Sequence, residues 1–321
     1  MREFCSLPQA VAALKRGELV AIPTETVYGL GGVALWPGTV ARIFEVKGRP
    51  TFDPLIVHVP TLDAVDEIVS SFPPAARSLA THFWPGPLTL VLPKAAQIPD
   101  LVTAGLPSVA VRIPAHPFAR ELLERLALPV AAPSANLFGR VSPTTAAHVA
   151  DQLGDQLDWI LDGGPCSVGV ESTVVSFAEA GVPCLLRPGG ISLEALEAVI
   201  GPVNWPQPIT SEHPAVAQLA PGTLPQHYAP LTTISLGDLS QTIPPGKIGA
   251  LAFQSCPRPE RFAVVEILSP LGDLAEAAAQ LFAAMRRLDC AGLDAIIAER
   301  VPDYGLGRAI NDRLTRAAWN R

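Results

Sequence analysis

Short apolar runs separated by longer amphipathic stretches fill the first two hundred residues, and this alternation predicts an α/β domain. Strands are predicted over 19–23, 55–59, 88–92, 109–113, 130–132, 159–161 and 173–177, several of them stopped sharply by proline. One helix should follow Ser6, where Ser6 and Gln9 have capping-box spacing and Gly17 can close the C-terminus. Others should begin near Thr61, Pro117, Thr144 and Ser192. Pattern alone does not order the strands.

The texture changes over 201–230, which holds seven of the 34 prolines and so excludes a long helix or a central strand. Proline biases such a linker toward extended, semi-rigid backbone able to lie across another surface. Apolar runs then resume at 248–253, 262–267 and 295–298. Leu274, Ala278, Leu281, Phe282, Met285 and Leu288 form one helical face between the last two runs, and a final helix is expected from Leu306 to Trp319. The predicted organisation is a first domain at 1–203, a linker at 204–230 and a smaller α/β domain at 231–321.

Composition narrows the function classes. The 321 residues suit two cores, and 49% hydrophobic with 17% charged residues fits a folded globular chain. The apolar runs are far shorter than the ~20 residues of a membrane span. The N-terminus lacks the apolar core of a secretory signal, which makes the cytoplasm the expected compartment. Five scattered cysteines without a C-x-x-C pair argue for buried reduced thiols rather than disulfides or zinc. A net charge of -7 disfavours nonspecific coating of nucleic acid but leaves room for a local basic pocket.

Four blocks carry candidate chemistry. In Pro23 to Gly31, PTETVYGLG, the hydroxyls of Thr24 and Thr26 can bond a polar ligand while Gly29 and Gly31 permit close backbone approach. Lys47 and Arg49 flank Gly48 at a helix end and suit phosphate, although a lone K-x-R also serves as a solvated C-cap. His58 lies within an apolar strand, where a satisfied core histidine is the ordinary case. Arg112 sits in a short apolar strand, Ser108 to Pro114, and requires a counter-charge from the protein or from a ligand carboxylate. In Ala131 to Thr145 a strand end leads through Ser134, Asn136, Gly139 and Ser142 to a helix opened by Pro143, an arrangement that can gather ligands or simply cap a loop. Ser172 and Arg187 add a further hydroxyl and cation.

Together and in this order, the blocks resemble the YrdC-like family, and the whole chain is similar to its longer two-domain threonylcarbamoyl-AMP synthases. The K-x-R signature corresponds to Lys47 and Arg49, S-x-N to Ser134 and Asn136, and the linker signature to PGTLPQHYAP, Pro221 to Pro230. The resemblance implies an open twisted sheet with helices, joined by the proline-rich linker to a Rossmann-like C-terminal domain. It also implies formation of threonylcarbamoyl-AMP and pyrophosphate from L-threonine, bicarbonate and ATP, with Mg2+ on the triphosphate and no separate metal site. The product would pass to the tRNA threonylcarbamoyl transferase machinery.

By the same resemblance, Thr26, His58, Arg112, Ser172 and the backbone at Ala132 form the threonine pocket. Lys47 and Arg49, the expected catalytic pair, join Ser134, Asn136, Ser142 and Arg187 around the nucleotide, with Ser108 and Asp53 nearby, and Tyr228 of the linker closes over the site. Asp53 departs from the family's usual asparagine, and Thr223 from a frequent methionine. A carboxylate at 53 can repel phosphate, bind it through magnesium, or face a cation. The competing readings are a module that binds double-stranded RNA, a carbamoyl-transferring synthase with another acceptor, and a purely structural protein; weak RNA binding is also compatible with the synthase reading.

Overall fold

The structure, a computed structural model, describes residues 4–179, 181–205 and 227–319. Most of the predicted linker, 206–226 with Thr223, lies outside the described residues.

All seven strands predicted in the first domain form, and two more complete a mixed sheet. The strands are β1 (Val20–Ile22), β2 (Gly29–Val33), β3 (Ile56–His58), β4 (Leu88–Pro93), β5 (Ser108–Arg112), β6 (Val130–Ala131), β7 (Trp159–Ile160), β8 (Thr173–Ser176) and β9 (Cys184–Arg187). Their spatial order is β7-β1-β2-β6-β3-β5-β4-β8-β9. The additional strands are β2 and β9. β2 reads GLGGV, with no alternation to betray it, because its glycines make room for neighbours: a Cβ on Gly31 would meet Ile22 Cδ1 at 2.4 Å, and one on Gly32 would meet Thr39 Cγ2 at 2.5 Å.

The helices are α1 (Leu7–Lys15), α2 (Pro37–Lys47), α3 (Leu62–Ile68), α4 (Pro74–Phe83), α5 (Asp100–Thr103), α6 (Pro117–Leu126), α7 (Ala146–Leu153) and α8 (Leu193–Ile200). Gln9 Oε1 accepts from the Ser6 N–H at 2.8 Å, and Thr61 and Ser192 cap α3 and α8 as their spacing predicts. α7 begins later than expected, at Ala146, because Thr145 rather than Pro143 supplies its cap. α4 escapes the hydrophobic pattern: only Ala76, Leu79 and Ala80 of it are buried.

The second domain has four parallel strands, β10 (Thr233–Leu236), β11 (Ile248–Ala252), β12 (Val264–Ile267) and β13 (Ala295–Ala298), in the order β10-β13-β11-β12. The apolar stripe becomes α9 (Leu274–Asp289), capped by Asp273, and α10 (Gly307–Ala317) follows. Short β10 was not predicted, since only Ile234 of it is fully buried.

The domains share an apolar core. Val27, Val141 and Val170 of the first cluster with Leu281, Phe282 and Met285 of α9, and each such buried side chain contributes roughly 1.5–3 kcal/mol before entropy is charged. Gly169, at φ +74, makes this approach possible: a Cβ there would meet Ala279 Cα at 2.4 Å. The five cysteines are free, but only Cys166 is buried and Cys290 is exposed, which corrects the expectation of uniformly buried thiols. Among the described residues no helix is long and apolar enough to cross a membrane.

Candidate active site

β3 and β5 run parallel and set His58 directly opposite Arg112 at their carboxyl ends. β6 runs antiparallel along the other edge of β3, so Ala132, just past its end, lies beside Ile56 and donates its N–H to the Ile56 carbonyl at 3.0 Å. Burial pushes the His58 imidazole down to about 3, with Arg112 acting in the same sense, so the ring is neutral at physiological pH. Its Nδ1 has no hydrogen-bond partner among the described residues.

The counter-charge demanded by Arg112 comes from the PTET block: Nη2 lies 2.6 Å from Glu25 Oε1, with both side chains buried. Burial works against ionisation of Glu25, yet Arg112 outweighs it and holds the carboxyl below its ordinary value. Arg112 Nη1 also donates to Thr26 Oγ1 at 2.8 Å, and Nε donates to the Gly86 carbonyl at 3.2 Å. Since the Thr24 hydroxyl donates to the Val27 carbonyl at 2.7 Å, the proton in the 2.8 Å Thr24–Thr26 contact must come from Thr26. Each terminal nitrogen of Arg112 keeps an N–H for a ligand, and the fork is held rigid from behind.

A cationic group stands beside this pocket. Gly48, at φ +57, ends α2 and turns the chain so that Lys47 and Arg49 both point inward. Arg49 donates to the carbonyls of Asp53 at 3.1 Å and Pro54 at 2.8 Å, and its Nη2 lies 2.9 Å from Asp53 Oδ1. That last contact lacks hydrogen-bond alignment, and burial of Asp53 outweighs Arg49, Lys47 and Arg187 to leave its carboxyl raised. Arg187 Nη2 donates to the Ser172 carbonyl at 2.9 Å, and the Ser172 hydroxyl lies 2.7 Å from that of Thr89.

One cavity of about 50 Å³ is lined by Thr26, His58, Arg112, Ala132 and Ser172 together with Arg49, Ser134, Arg187 and Tyr228. At ~10–15 Å³ per water it holds a few waters, far short of the roughly 300 Å³ at the lower end for small-molecule pockets. His227 and Tyr228 are also part of its wall, and both are buried. His227 is pushed well below its ordinary value by burial and then by Arg49, Lys47, Arg187 and Arg313, as expected of a neutral ring placed among cations. Tyr228, at φ +63, stacks on Phe282 of α9 with centroids 5.5 Å apart.

Five expected site residues stand outside the lining. Lys47 turns its Nζ to the carbonyls of Ser134 and Asn136, 2.5 Å from each, and so braces the loop that carries Ser134. Burial, reinforced by Arg49, pushes the Lys47 ammonium well down. Asn136 donates its amide to Leu137 and Arg140 carbonyls, Asp53 is turned to Arg49, and Ser142 donates to Glu171 Oε1 at 2.6 Å. Ser108 opens β5, four residues before Arg112, and at ~3.3 Å per residue lies about 13 Å from it along the strand. Conversely, Glu171 and His227 line the cavity and Glu25 braces Arg112, although none of the three is among the expected site residues; each adjoins one that is, and for the two acids a carboxylate beside a hydroxyl is the available signal.

The matched family models divide the chain between them. The Sua5/YciO/YrdC model, described as telomere recombination, covers residues 12–189, and the model of the threonylcarbamoyl-AMP synthase C-terminal domain covers 191–319. The chain is 42% identical over 97% of its length to a Pyrococcus abyssi threonylcarbamoyl-AMP synthase, covering 94% of that protein. It is 42% identical over 98% of its length to the Bacillus subtilis protein of the same name, covering 93% of it. The solved structure of P. abyssi Sua5 complexed with L-threonine superposes with a TM-score of 0.89 at 40% identity, covering 99% of this chain and 96% of that one.

Proposed function

The chain belongs to the Sua5/YciO/YrdC family in its two-domain threonylcarbamoyl-AMP synthase form, and on that premise we propose that its cavity joins L-threonine, bicarbonate and ATP into threonylcarbamoyl-AMP and pyrophosphate. The observation that carries this reading is the shared hollow, in which a braced arginine fork with hydroxyls adjoins a buried cationic group.

In this reading the threonine carboxylate lies on the remaining Arg112 donors, with Thr26, Ser172 and the Ala132 backbone around the rest of the amino acid; the choice of L-threonine as the ligand is supported by the L-threonine complex of the P. abyssi relative. The threonine amine attacks bicarbonate to give the carbamate, with loss of water. A carbamate oxygen then forms a bond to the α-phosphorus of ATP, and the bond from that phosphorus to the bridging oxygen breaks, releasing pyrophosphate. No enzyme nucleophile takes part, so positioning and charge stabilisation suffice. Arg49 and Arg187 offset phosphate charge, and Lys47 acts by holding the Ser134 loop. Neutral His58 contributes shape and a hydrogen-bonding ring nitrogen.

The nucleotide requires His227 and Tyr228 to swing out of the closed cavity and back, a motion that shields the labile mixed anhydride from water. Magnesium would enter with the triphosphate and offset part of its charge, and Asp53 and Glu171 are the carboxylates near enough to the cationic group to meet it. The enzyme works in the cytoplasm and passes its product to the machinery that forms threonylcarbamoyladenosine in tRNA.

The test is pyrophosphate release by the purified full chain, with the adenylate identified by mass spectrometry. Release should require both L-threonine and bicarbonate, and Arg49→Ala should lower it by about a hundredfold or more, the scale of one lost charge-stabilising donor. Release that is indifferent to threonine would refute the reading.

A further inference from the structure

Glu171 is an acid in an unexpected place. It lines the same cavity as Arg49 and Arg187, the cations expected to meet phosphate, and it is buried. A fixed negative charge there opposes the cations that attract the nucleotide. Burial favours the neutral form, yet Arg313 first and Arg187 next hold the carboxyl below its ordinary value, so it remains ionised.

Its principal partner comes from the other domain. Arg313, on α10, has no exposed surface and does not line the cavity; its Nε donates to Glu171 Oε2 at 2.8 Å. The opposite oxygen, Oε1, accepts from Ser142 at 2.6 Å, so one carboxylate links α10 to the loop that leads into α7. The guanidinium carbon of Arg313 also lies 5.1 Å from the centroid of the Tyr228 ring, which stacks as well on Phe282 of α9. Asp312 holds Arg313 Nη1 at 2.5 Å, while Nη2 has no hydrogen-bond partner among the described residues.

We propose that Arg313 is a positioning residue of the nucleotide site: acting across the domain boundary, it neutralises Glu171, fixes that carboxylate against Ser142 and supplies the charged face on which Tyr228 rests. The second domain thereby completes the electrostatics of a cavity built by the first. This rests on the synthase reading for the identity of the ligand. It assigns the nucleotide half alone to Arg313, because the threonine half has its own closed pair in Arg112 and Glu25.

Calorimetry with a nonhydrolysable ATP analogue and, separately, with L-threonine reads the two halves without turnover. A parent that binds the analogue but releases no pyrophosphate would therefore sink the synthase reading and leave this proposal measurable. Arg313→Met should weaken analogue binding by about tenfold or more while threonine affinity stays within about twofold. Arg313→Lys, which keeps the charge, should remain within about threefold for both ligands. Arg313→Met combined with Glu171→Gln removes both charges and should return analogue affinity to within about threefold of the parent. Equal weakening of both ligands by Arg313→Met would mark Arg313 as a merely structural tie and overturn the proposal, as would unchanged analogue affinity. Should the single methionine variant fail to fold, the double variant decides, since a tenfold or greater loss there cannot be charged to an unneutralised Glu171.

Discussion

Replacing Asp53 by asparagine removes the acid that, among the described residues, faces the K-x-R cations, and it should strengthen nucleotide binding. The 2.9 Å contact between Arg49 Nη2 and Asp53 Oδ1 sets the scale. At an effective dielectric constant of about 20 such a pair attracts with a gross ~6 kcal/mol, most of which desolvation offsets. A phosphate on the far side of the guanidinium would sit about twice as far from the carboxylate and be repelled by roughly 3 kcal/mol per unit charge. Magnesium and the neighbouring cations reduce that to ~1–2 kcal/mol, or about tenfold in affinity.

The asparagine side chain is nearly isosteric, and the backbone carbonyls of residues 53 and 54 continue to hold Arg49, so the cation stays in place. Titration of parent and Asp53→Asn with a nonhydrolysable ATP analogue measures the effect. Because burial raises the Asp53 carboxyl, the difference between the two proteins should shrink as pH falls and the parent's carboxylate takes up a proton. Affinity that is unchanged or weaker in the variant would refute the repulsion argument and point to a carboxylate that binds phosphate through magnesium.

Three further outcomes follow from the same geometry. Arg112→Gln leaves Glu25 buried without its cation and should weaken L-threonine binding by about a hundredfold or more, while the ATP analogue binds within about threefold; calorimetry reads both. Tyr228→Ala loses the stacking on Phe282 and the contact with Arg313, together worth ~1–3 kcal/mol, so bound adenylate should escape about tenfold faster or more in a chase experiment. Burial holds folded His58 at about 3 against 6.5 ordinarily, so the unfolded chain takes up its proton first and stability falls as pH drops through that window. His58→Gln should flatten the slope by up to ~1.4 kcal/mol per pH unit in denaturant titrations, and equal slopes would count against a buried neutral ring.

Much of the fold and the identity of the site blocks could be read from the chain, because those features are local. Strands that are buried on both faces announce themselves as apolar runs, as in 109–113, and helix starts announce themselves by caps such as Thr61 and Ser192. Lys47 and Arg49 were visible as cations around a glycine, and Arg112 as a charge inside an apolar strand that had to find a partner. Elements without a local signature stayed hidden: β2 is glycine-rich because its neighbours fill its space, and β10 and α4 bury too little to show a period.

What the tertiary structure alone decided is the pairing. Charge and burial act through space, so no rule of spacing could join Arg112 to Glu25 across 87 positions or Glu171 to Arg313 across 142. The same applies to the residues that stand behind the wall. Lys47, Asn136 and Ser142 were recognisable by type, but only the folded backbone shows whether a donor meets the cavity, a carbonyl or a carboxylate. Sequence determined which chemical groups are present and which local elements carry them; the three-dimensional arrangement determined which of those groups are spent on the protein and which, like His58 Nδ1, stay buried without a partner and available to a ligand, because losing water without compensation is costly.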